Sequence, residues 1–424
     1  MVITELQTWK IPEVYTSFES VIGESHWRRR TAQLTSEIRG NRFLSSYLVQ
    51  ENAIAFQLEH LRQVRLKLGQ IPASEFNNPD IYPAMSFAAQ SLGIIKNAPN
   101  ALGEQFRRRI HGAFGNPSDM HALRLELSAA THFARQGRKI SWPETSSRGS
   151  FDLLIEDVGP RGLEIECKSI SEDKGRRISK REVLDFYAQL WPNISWAKNN
   201  LRTGLFAVLT VPSRLPRQHK ERVELAKLFG RQILSGTGLA LPNGGSIRID
   251  EFDVTRLEDI SSATNPRDVR LVIDDVTGTH NRESVVIGSR AGGALALAVQ
   301  SAEDDMLMSS IFDTLSDSAS RQFSCERGGM FFVGFKGIAS EQLLSIAGQD
   351  QDSAQTPTAL RLHVSKFLSS QNRDHIVGVG FLSESGVRPS VDGLVDSGGT
   401  AYYFPKRESP HWADDFSGLF SWVR

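Results

Sequence analysis

The stretch Phe151–Lys168 decides how this chain is expected to fold, and it reads FDLLIEDVGPRGLEIECK. Two apolar runs flank a Gly-Pro pair, which is typical of two antiparallel strands joined by a turn. With the turn centred on Gly159, Asp152 lies directly opposite Glu166 on the same face of the hairpin. Alternation along the second strand places Lys168 on that face as well. The hairpin therefore brings two carboxylates and one ammonium group together.

The two opposed carboxylates require a cation between them. Directly opposed Cβ atoms lie roughly 4.5–5.5 Å apart, and like charges at that separation destabilise a sheet. Lys168 is near but cannot bridge both carboxylates, whereas a divalent metal ion can. Mg²⁺ takes hard oxygen ligands and often binds through one or two carboxylates plus the phosphate oxygens of a substrate. Because bound metal acidifies water and stabilises charge on a phosphoryl group, the pattern predicts hydrolysis of a phosphodiester.

The elements around the hairpin follow the order α-β-β-β-α-β, so an α/β fold is expected. The helices show capping residues at their ends, and the strands are short apolar runs. The predicted elements are a helix at Asp119–Gln136, strands at Lys139–Trp142, Phe151–Glu156 and Leu163–Lys168, a helix at Ser179–Leu190 and a strand at Gly204–Val211.

Asp152, followed after thirteen residues by Glu166-Cys167-Lys168, resembles the PD-(D/E)XK motif of restriction-endonuclease-like nucleases. The α-β-β-β-α-β order is similar to the core of that superfamily. The resemblance implies that Asp152 and Glu166 bind Mg²⁺, for which Mn²⁺ can substitute, and that Lys168 assists the attacking water. The sequence departs from the motif at Phe151, which stands in place of the Pro. That Pro is not required by the chemistry.

The resemblance implies two further candidates. Many members add a Glu from the preceding helix, where Glu126 stands, and some add a Gln from the following helix, for which Gln189 is the candidate. Glu126 lies in an apolar stripe, where a carboxylate needs a partner, so it is either a third metal-site acid or the partner of an arginine. Gln189 also flanks an apolar stripe and is otherwise a boundary residue. Glu164 is expected to be a solvated strand residue.

A basic cluster follows the second strand of the hairpin and enters the next helix. Such residues beside a phosphodiesterase centre would position a nucleic-acid backbone without reading its sequence. The alternative is an ordinary solvated basic loop. The cluster consists of Lys174, Arg176, Arg177, Lys180 and Arg181.

The chain is neutral overall, with 49 Lys and Arg against 49 Asp and Glu, but its charge is uneven along the sequence. Residues 1–234 hold 33 Lys and Arg against 24 Asp and Glu, whereas residues 235–424 hold 16 against 25. The first part is suited to a polyanion and the second is not. Alternatively, the two parts simply neutralise each other.

The length of 424 residues predicts two to four domains. We expect a mainly helical region at 1–100, a nuclease-like core at 101–235 and an acidic α+β domain at 236–424. The two cysteines can build neither a disulfide framework nor a cysteine zinc site. Met1–Lys10 lacks the pattern of a signal peptide, and no apolar stretch could span a bilayer, so a cytoplasmic location is expected.

The sequence therefore predicts a Mg²⁺-dependent nuclease, with DNA as the favoured substrate and no membrane partner. Restriction, defence, repair and mobile-element contexts all remain open. One alternative is an RNA nuclease with the same site. Another is a nuclease-like fold that serves as a binding or assembly module without turnover. A homodimer or a partner protein could supply specificity.

Overall fold

The computed structural model describes residues 2–143, 150–242, 244–257, 266–279, 283–383, 387–390, 393–396 and 399–420. These residues form a mixed α/β structure. The α-helices are α1 (Ile11–Ile22), α2 (Ser25–Gly40), α3 (Ser45–Glu51), α4 (Ala53–Leu68), α5 (Tyr82–Asn97), α6 (Asn100–Gly115), α7 (Pro117–Arg135), α8 (Lys180–Ile194), α9 (Ala197–Asn200), α10 (His219–Ser235), α11 (Pro266–Thr277), α12 (Leu307–Ala319), α13 (Ser340–Gln351) and α14 (Ala359–Leu368).

The described strands form two mixed sheets and a separate two-stranded hairpin. They are β1 (Ile140–Ser141), β2 (Leu153–Ile155), β3 (Leu163–Ile170), β4 (Gly204–Val211), β5 (Leu239–Ala240), β6 (Ser246–Phe252), β7 (Glu283–Gly288), β8 (Ala294–Ser301), β9 (Gly328–Phe335), β10 (Ile376–Leu382), β11 (Val387–Ser390), β12 (Gly393–Asp396) and β13 (Ala401–Pro405).

The chain divides into two compact units, neither of which is continuous in sequence. The first unit comprises Met1–Thr35, Val49–Lys174 and Leu307–Arg424. The second comprises Ser36–Leu48 and Gly175–Met306. The larger segment of the second unit, Gly175–Met306, is thus inserted between β3 and α12. The predicted ranges 1–100, 101–235 and 236–424 do not coincide with these units, because composition along the chain does not reveal an insertion.

The first unit contains a six-stranded sheet in the order β1-β2-β3-β9-β10-β13. The strands β1, β2 and β3 form an antiparallel meander, and β3, β9 and β10 run parallel to one another. The strand β13 closes the other edge in the antiparallel direction. Since β3 is bonded to β2 on one side and β9 on the other, it is an interior strand of the sheet.

Both faces of this sheet are covered by helices. Side chains of α7 pack on the face that carries Ile165 and Met330. Side chains of α12 and α14 pack on the opposite face, which carries Phe331 and Val333. Successive residues of a strand alternate between faces, so the continuous apolar run of β9 supplies both cores.

The predicted contiguous core is wrong in its second half. A helix does follow β3 and is opened by a capping box at Ser179, and the strand at Gly204–Val211 forms as expected. That strand, however, is β4 of the other sheet, and the parallel neighbour of β3 is β9. Buried parallel strands all read as short apolar runs, so the local pattern does not specify which run pairs with β3.

The second unit contains a five-stranded sheet in the order β5-β6-β4-β8-β7. Its central pair, β4 and β8, is parallel, and the outer pairings are antiparallel. The helices α8 and α10 cover one face through residues such as Phe186, Leu190 and Phe229. Val276 of α11 lies in a smaller cluster with β4 and β8.

The N-terminal part of the first unit is helical, as the sequence predicts for 1–100. Its core joins α1, α2, α5 and α6 through large buried side chains, among them Tyr15, Phe18, Trp27, Phe87 and Ile110.

Some element predictions differ from the structure. The short apolar run Val269–Ile273 is typical of a strand, but it lies within α11, whose first residue is the proline at 266. The β8 strand was not predicted, because its run of small and apolar residues carries no alternation.

Candidate active site

The hairpin of β2 and β3 has the predicted register. Leu153 pairs with Ile165, and Ile155 pairs with Leu163. Asp152 immediately precedes β2, and its backbone N–H donates to the carbonyl of Ile165 at 3.0 Å. The predicted pairing of Asp152 with Glu166 therefore lies one residue beyond the ladder that forms. The two carboxyl groups are nevertheless neighbours, because the charge of Asp152 is, after burial, the largest cause of the raised pKa of Glu166.

The turn explains why this register is fixed. Gly159 has a φ of 60° and Gly162 a φ of 81°, a backbone region that favours glycine. A Cβ at Gly162 would lie 2.8 Å from the carbonyl oxygen of Ile155. The two glycines thus permit a tight connection that sets the pairing of the strands it joins.

Asp152 is anchored by the backbone of β3. Its Oδ2 accepts a hydrogen bond from the backbone N–H of Cys167 at 2.8 Å. Burial raises the pKa of Asp152, and the Cys167 hydrogen bond and the charges of Arg109 and Lys168 oppose that rise. The carboxylate is therefore held in one orientation beside Glu166.

Glu166 is almost fully buried, with 2% of its side chain exposed. Its Oε1 lies 2.7 Å from Lys168 Nζ, and its Oε2 has no hydrogen-bond partner among the described residues. Burial, followed by the charge of Asp152, raises the pKa of Glu166 to about 8, although Lys168 opposes that rise. The ammonium group alone does not offset the cost of the two carboxylates.

Lys168 is held by a second partner that sequence reasoning missed. Its Nζ donates to Gln322 Oε1 at 2.6 Å, and the carbonyl oxygen of Gln322 accepts from the N–H of Ser150 at 2.9 Å. Gln322 follows α12, 154 residues beyond Lys168. No local signal marks it, because the contact depends on β9 pairing with β3.

Glu126 extends from α7 and is 4% exposed. Its Oε1 forms an ion pair with Arg109 of α6, which is the arginine alternative considered from the sequence. Its Oε2 is buried without a partner in the described residues. Burial, followed by the charge of Asp152, raises the pKa of Glu126 to about 7, against the opposing effect of Arg109. The carboxylate therefore senses the charge of Asp152 while it binds an arginine.

The expectation that Glu164 is solvated is wrong, because β9 pairs with β3 and makes it an interior strand of the sheet. Glu164 is fully buried and accepts a hydrogen bond from the Ser324 N–H at 2.9 Å, and its Oε1 lies 3.1 Å from Arg327 Nε. This carboxylate ties β3 to the segment between α12 and β9, which is a structural role.

The donor chemistry of the cluster fits a hard divalent cation. Asp152, Glu166 and Glu126 present carboxylate oxygens, and two of those oxygens, Glu126 Oε2 and Glu166 Oε2, are buried without a partner among the described residues. Within the same residues, no three Asp, Glu, His or Cys side chains are grouped as a ready metal centre. The charge of Asp152 contributes to the raised pKa of both Glu166 and Glu126, so Asp152 is the carboxylate that the other two share.

Gln189 lies in the second unit, on α8, and its helix packs on the sheet that contains β4. The first unit, which carries Asp152, Glu166, Lys168 and Glu126, does not include it. The prediction of Gln189 as a site residue assumed that α8 packs in the same core as β3. The helix α8 instead belongs to the inserted segment and packs in the second unit.

Four of the five predicted phosphate-binding residues lie in the second unit and form ion pairs there. Lys174 is the exception, because it is the last residue of its segment in the first unit. The pairs are Arg176–Glu283 at 3.0 Å, Lys180–Glu283 at 3.9 Å, Arg177–Glu303 at 3.0 Å and Arg181–Glu37 at 2.9 Å.

Comparison with protein-family descriptions, curated proteins and solved structures finds no match to this chain. Among the described helices, none is both long and apolar enough to cross a membrane.

Proposed function

We propose that this protein is a metal-dependent nuclease that hydrolyses phosphodiester bonds, most favourably in DNA. The observation that carries the proposal is the grouping of the three side chains at β3: the Asp152 carboxylate is bound to the backbone of β3 at 2.8 Å, and Lys168 Nζ lies 2.7 Å from Glu166 Oε1. These are the three residues of the PD-(D/E)XK-like motif. Glu166 is buried and Asp152 half-buried, and the pKa of each is raised. Carboxyl groups perturbed in this way are costly for a folded protein and are concentrated at functional sites.

The proposed nuclease core is discontinuous. It consists of α7, β1, β2 and β3 from one segment, and of α12 and β9 from the segment after the insertion. This set follows the order α-β-β-β-α-β with β9 parallel to β3. The larger segment of the second unit then occupies the β3–α12 connection of a restriction-endonuclease-like fold.

Asp152 and Glu166 would hold Mg²⁺ or Mn²⁺, and Glu126 is the candidate for a further oxygen ligand. When bound, such a metal acidifies water and stabilises negative charge on a phosphoryl group. Lys168 keeps its ammonium group at the site because Glu166 and Gln322 both accept hydrogen bonds from Nζ. From that position it can donate a hydrogen bond to the attacking water or to a phosphate oxygen.

The second candidate function is a nuclease-like binding module without turnover. The pairing of Glu166 with Lys168 would then serve only to neutralise a buried charge. The presence of all three motif residues, together with the two carboxylate oxygens that lack partners, favours turnover. An RNA nuclease would use the same site residues and would differ only in the nucleic acid that it cleaves.

The proposal is tested by incubating the purified chain with end-labelled single-stranded and double-stranded DNA and RNA. Each substrate is incubated with Mg²⁺, Mn²⁺ or EDTA. The expected result is cleavage of DNA with either metal and no cleavage in EDTA. Cleavage of RNA alone selects the RNA alternative. Tight binding of nucleic acid without cleavage under any of these conditions selects the binding module.

A further inference from the structure

The helix α10 is amphipathic and turns one face into the core of the second unit. Its buried residues are Ala226, Phe229, Gly230 and Ile233, which recur at helical spacing. They pack with α8 and the five-stranded sheet. The opposite face of α10 is therefore directed to solvent within this unit.

That outward face carries a stripe of cations. Lys220, Lys227 and Arg231 are all exposed and are separated by seven and four residues, so they lie on the same side of the helix. At 1.5 Å of rise per residue the stripe extends over about 16 Å. Glu224 lies between them, with its Oε1 2.9 Å from Lys227 Nζ. The charges of Lys220 and Arg231 also help to lower the pKa of Glu224, after the larger effect of Lys227.

The loop before α10 extends the stripe. Arg214 and Arg217 are exposed there, and together with Lys220, Lys227 and Arg231 they form what we call the basic α10 surface. Two acids, Glu221 and Glu224, and a further cation, Arg222, lie among them, so residues 214–231 have a net charge of +4. Of the five cations of the basic α10 surface, only Lys227 forms an ion pair with another described residue. By contrast, Arg176, Arg177, Lys180 and Arg181 are each bound to an acid of their own unit.

We propose that the basic α10 surface binds the phosphate backbone of nucleic acid, so that the inserted unit holds the substrate. This inference rests on the proposed function for the class of its ligand. Exposed Lys and Arg bind phosphates by releasing counterions, a contact that does not depend on base sequence. Four of the five cations have no acidic partner among the described residues, and the fifth, Lys227, is in a solvent-exposed pair with Glu224. The ion-paired residues near β3 contribute less, because binding a phosphate would cost them an existing partner.

The test measures binding without cleavage. The full chain in EDTA is titrated against a fluorescently labelled DNA duplex over a series of salt concentrations. The variant Lys220→Gln/Lys227→Gln/Arg231→Gln is compared with the control Arg39→Gln/Arg202→Gln/Arg290→Gln. The control removes the same charge from exposed positions of the same unit. Gln has nearly the helix propensity of Lys and Arg, so both variants are expected to fold, and circular dichroism checks this.

The expected result is a loss of affinity of roughly tenfold or more in the α10 variant, with a salt slope that falls by about 2 to 3, since each lost phosphate contact removes about 0.9. The control stays within about twofold of the wild type. Equal losses in both variants, or unchanged affinity in the α10 variant, would overturn the inference while leaving the proposed function intact. A wild-type chain that binds DNA through this surface but never cleaves it would sustain the inference and remove the proposed nuclease activity.

Discussion

At the scale of single residues, the buried carboxyl of Glu166 carries the main cost of the site. One of its oxygens binds Lys168, and the other has no partner in the described residues. Because its pKa is raised from 4.5 to about 8, the metal-free folded protein keeps a proton there at neutral pH. Cation binding is then linked to the release of that proton, and affinity for Mg²⁺ is expected to rise with pH.

The raised pKa of Glu166 predicts how stability changes with pH in the absence of metal. Between pH 4.5 and about 8 the folded state holds a proton that the unfolded chain releases. The free energy of unfolding therefore falls as pH rises through this window, by up to about 1.4 kcal/mol per pH unit from this group. Urea unfolding in EDTA at several pH values should show a shallower fall for Glu166→Gln than for the wild type. Identical pH slopes in the two proteins would contradict the assignment.

Gln322 is a positioning residue for Lys168, which predicts a specific kinetic effect. Gln322→Ala should lower kcat and leave KM and Mg²⁺ affinity nearly unchanged, because the ammonium group loses one of its two acceptors. In a double-mutant cycle, adding Gln322→Ala to Lys168→Met should have no further effect. Additive losses in the double variant would show that Gln322 acts independently of Lys168.

Glu126 can be separated from its arginine by two matched substitutions. Arg109 is 40% exposed at its side chain, so its guanidinium reaches water when Glu126 is neutralised. Glu126→Gln should therefore change the free energy of unfolding by no more than about 1 kcal/mol. If Glu126 is a metal ligand, titration calorimetry will show weaker Mg²⁺ binding in Glu126→Gln than in Arg109→Gln. Equal Mg²⁺ affinity in the two variants would show that Glu126 pairs with Arg109 and does not bind the metal.

At the scale of elements, the sequence predicts the neighbour of β3 on one side, β2, and does not predict its neighbour on the other side, β9. The antiparallel hairpin, its turn at Gly159 and the pairing of Leu153 with Ile165 follow from residues within eighteen positions of one another. The neighbour on the other side, β9, begins at Gly328 and depends on a long-range contact that no local pattern encodes. For this reason the burial of Glu164 and the role of Gln322 could not be predicted.

Because β3 is an interior strand and Glu164 is buried on it, we expect Glu164 to contribute to stability and not to metal binding. Glu164→Gln should lower the free energy of unfolding by roughly 1–3 kcal/mol, since Arg327 and Ser324 lose a charged acceptor in a buried setting. Chemical denaturation measures this loss, and calorimetry should find Mg²⁺ binding unaltered. Weakened Mg²⁺ binding at unchanged stability would move Glu164 into the metal site.

At the scale of the whole molecule, the insertion changes the meaning of the charge distribution. Residues 1–234 carry a net charge of +9 and residues 235–424 a net charge of −9. The first unit, however, holds 29 Lys and Arg against 32 Asp and Glu, and the second holds 20 against 17. The apparent contrast between a basic and an acidic half therefore largely disappears between the units. The charge differences that remain are local, and the basic α10 surface is one of them.

The same insertion predicts the outcome of truncation. A fragment that ends at Ser235 lacks β6 and β8, which flank β4, and β9, which pairs with β3. Both sheets then lose interior strands, so the fragment should be insoluble or fail to unfold cooperatively. Circular dichroism and urea titration would check this. A soluble fragment with a cooperative transition would contradict the division of the chain into two discontinuous units.

The central claim is that Asp152 and Glu166 form the metal-binding pair of a nuclease, and single-turnover cleavage of labelled DNA tests it most directly. The wild type, Asp152→Asn and Glu166→Gln are compared in Mg²⁺, with Glu156→Gln as a control because Glu156 is an exposed carboxylate of the same hairpin. We predict cleavage by the wild type and the control, and none by the two site variants, all four proteins being folded by circular dichroism. Cleavage by Glu166→Gln at the rate of the wild type would contradict the claim.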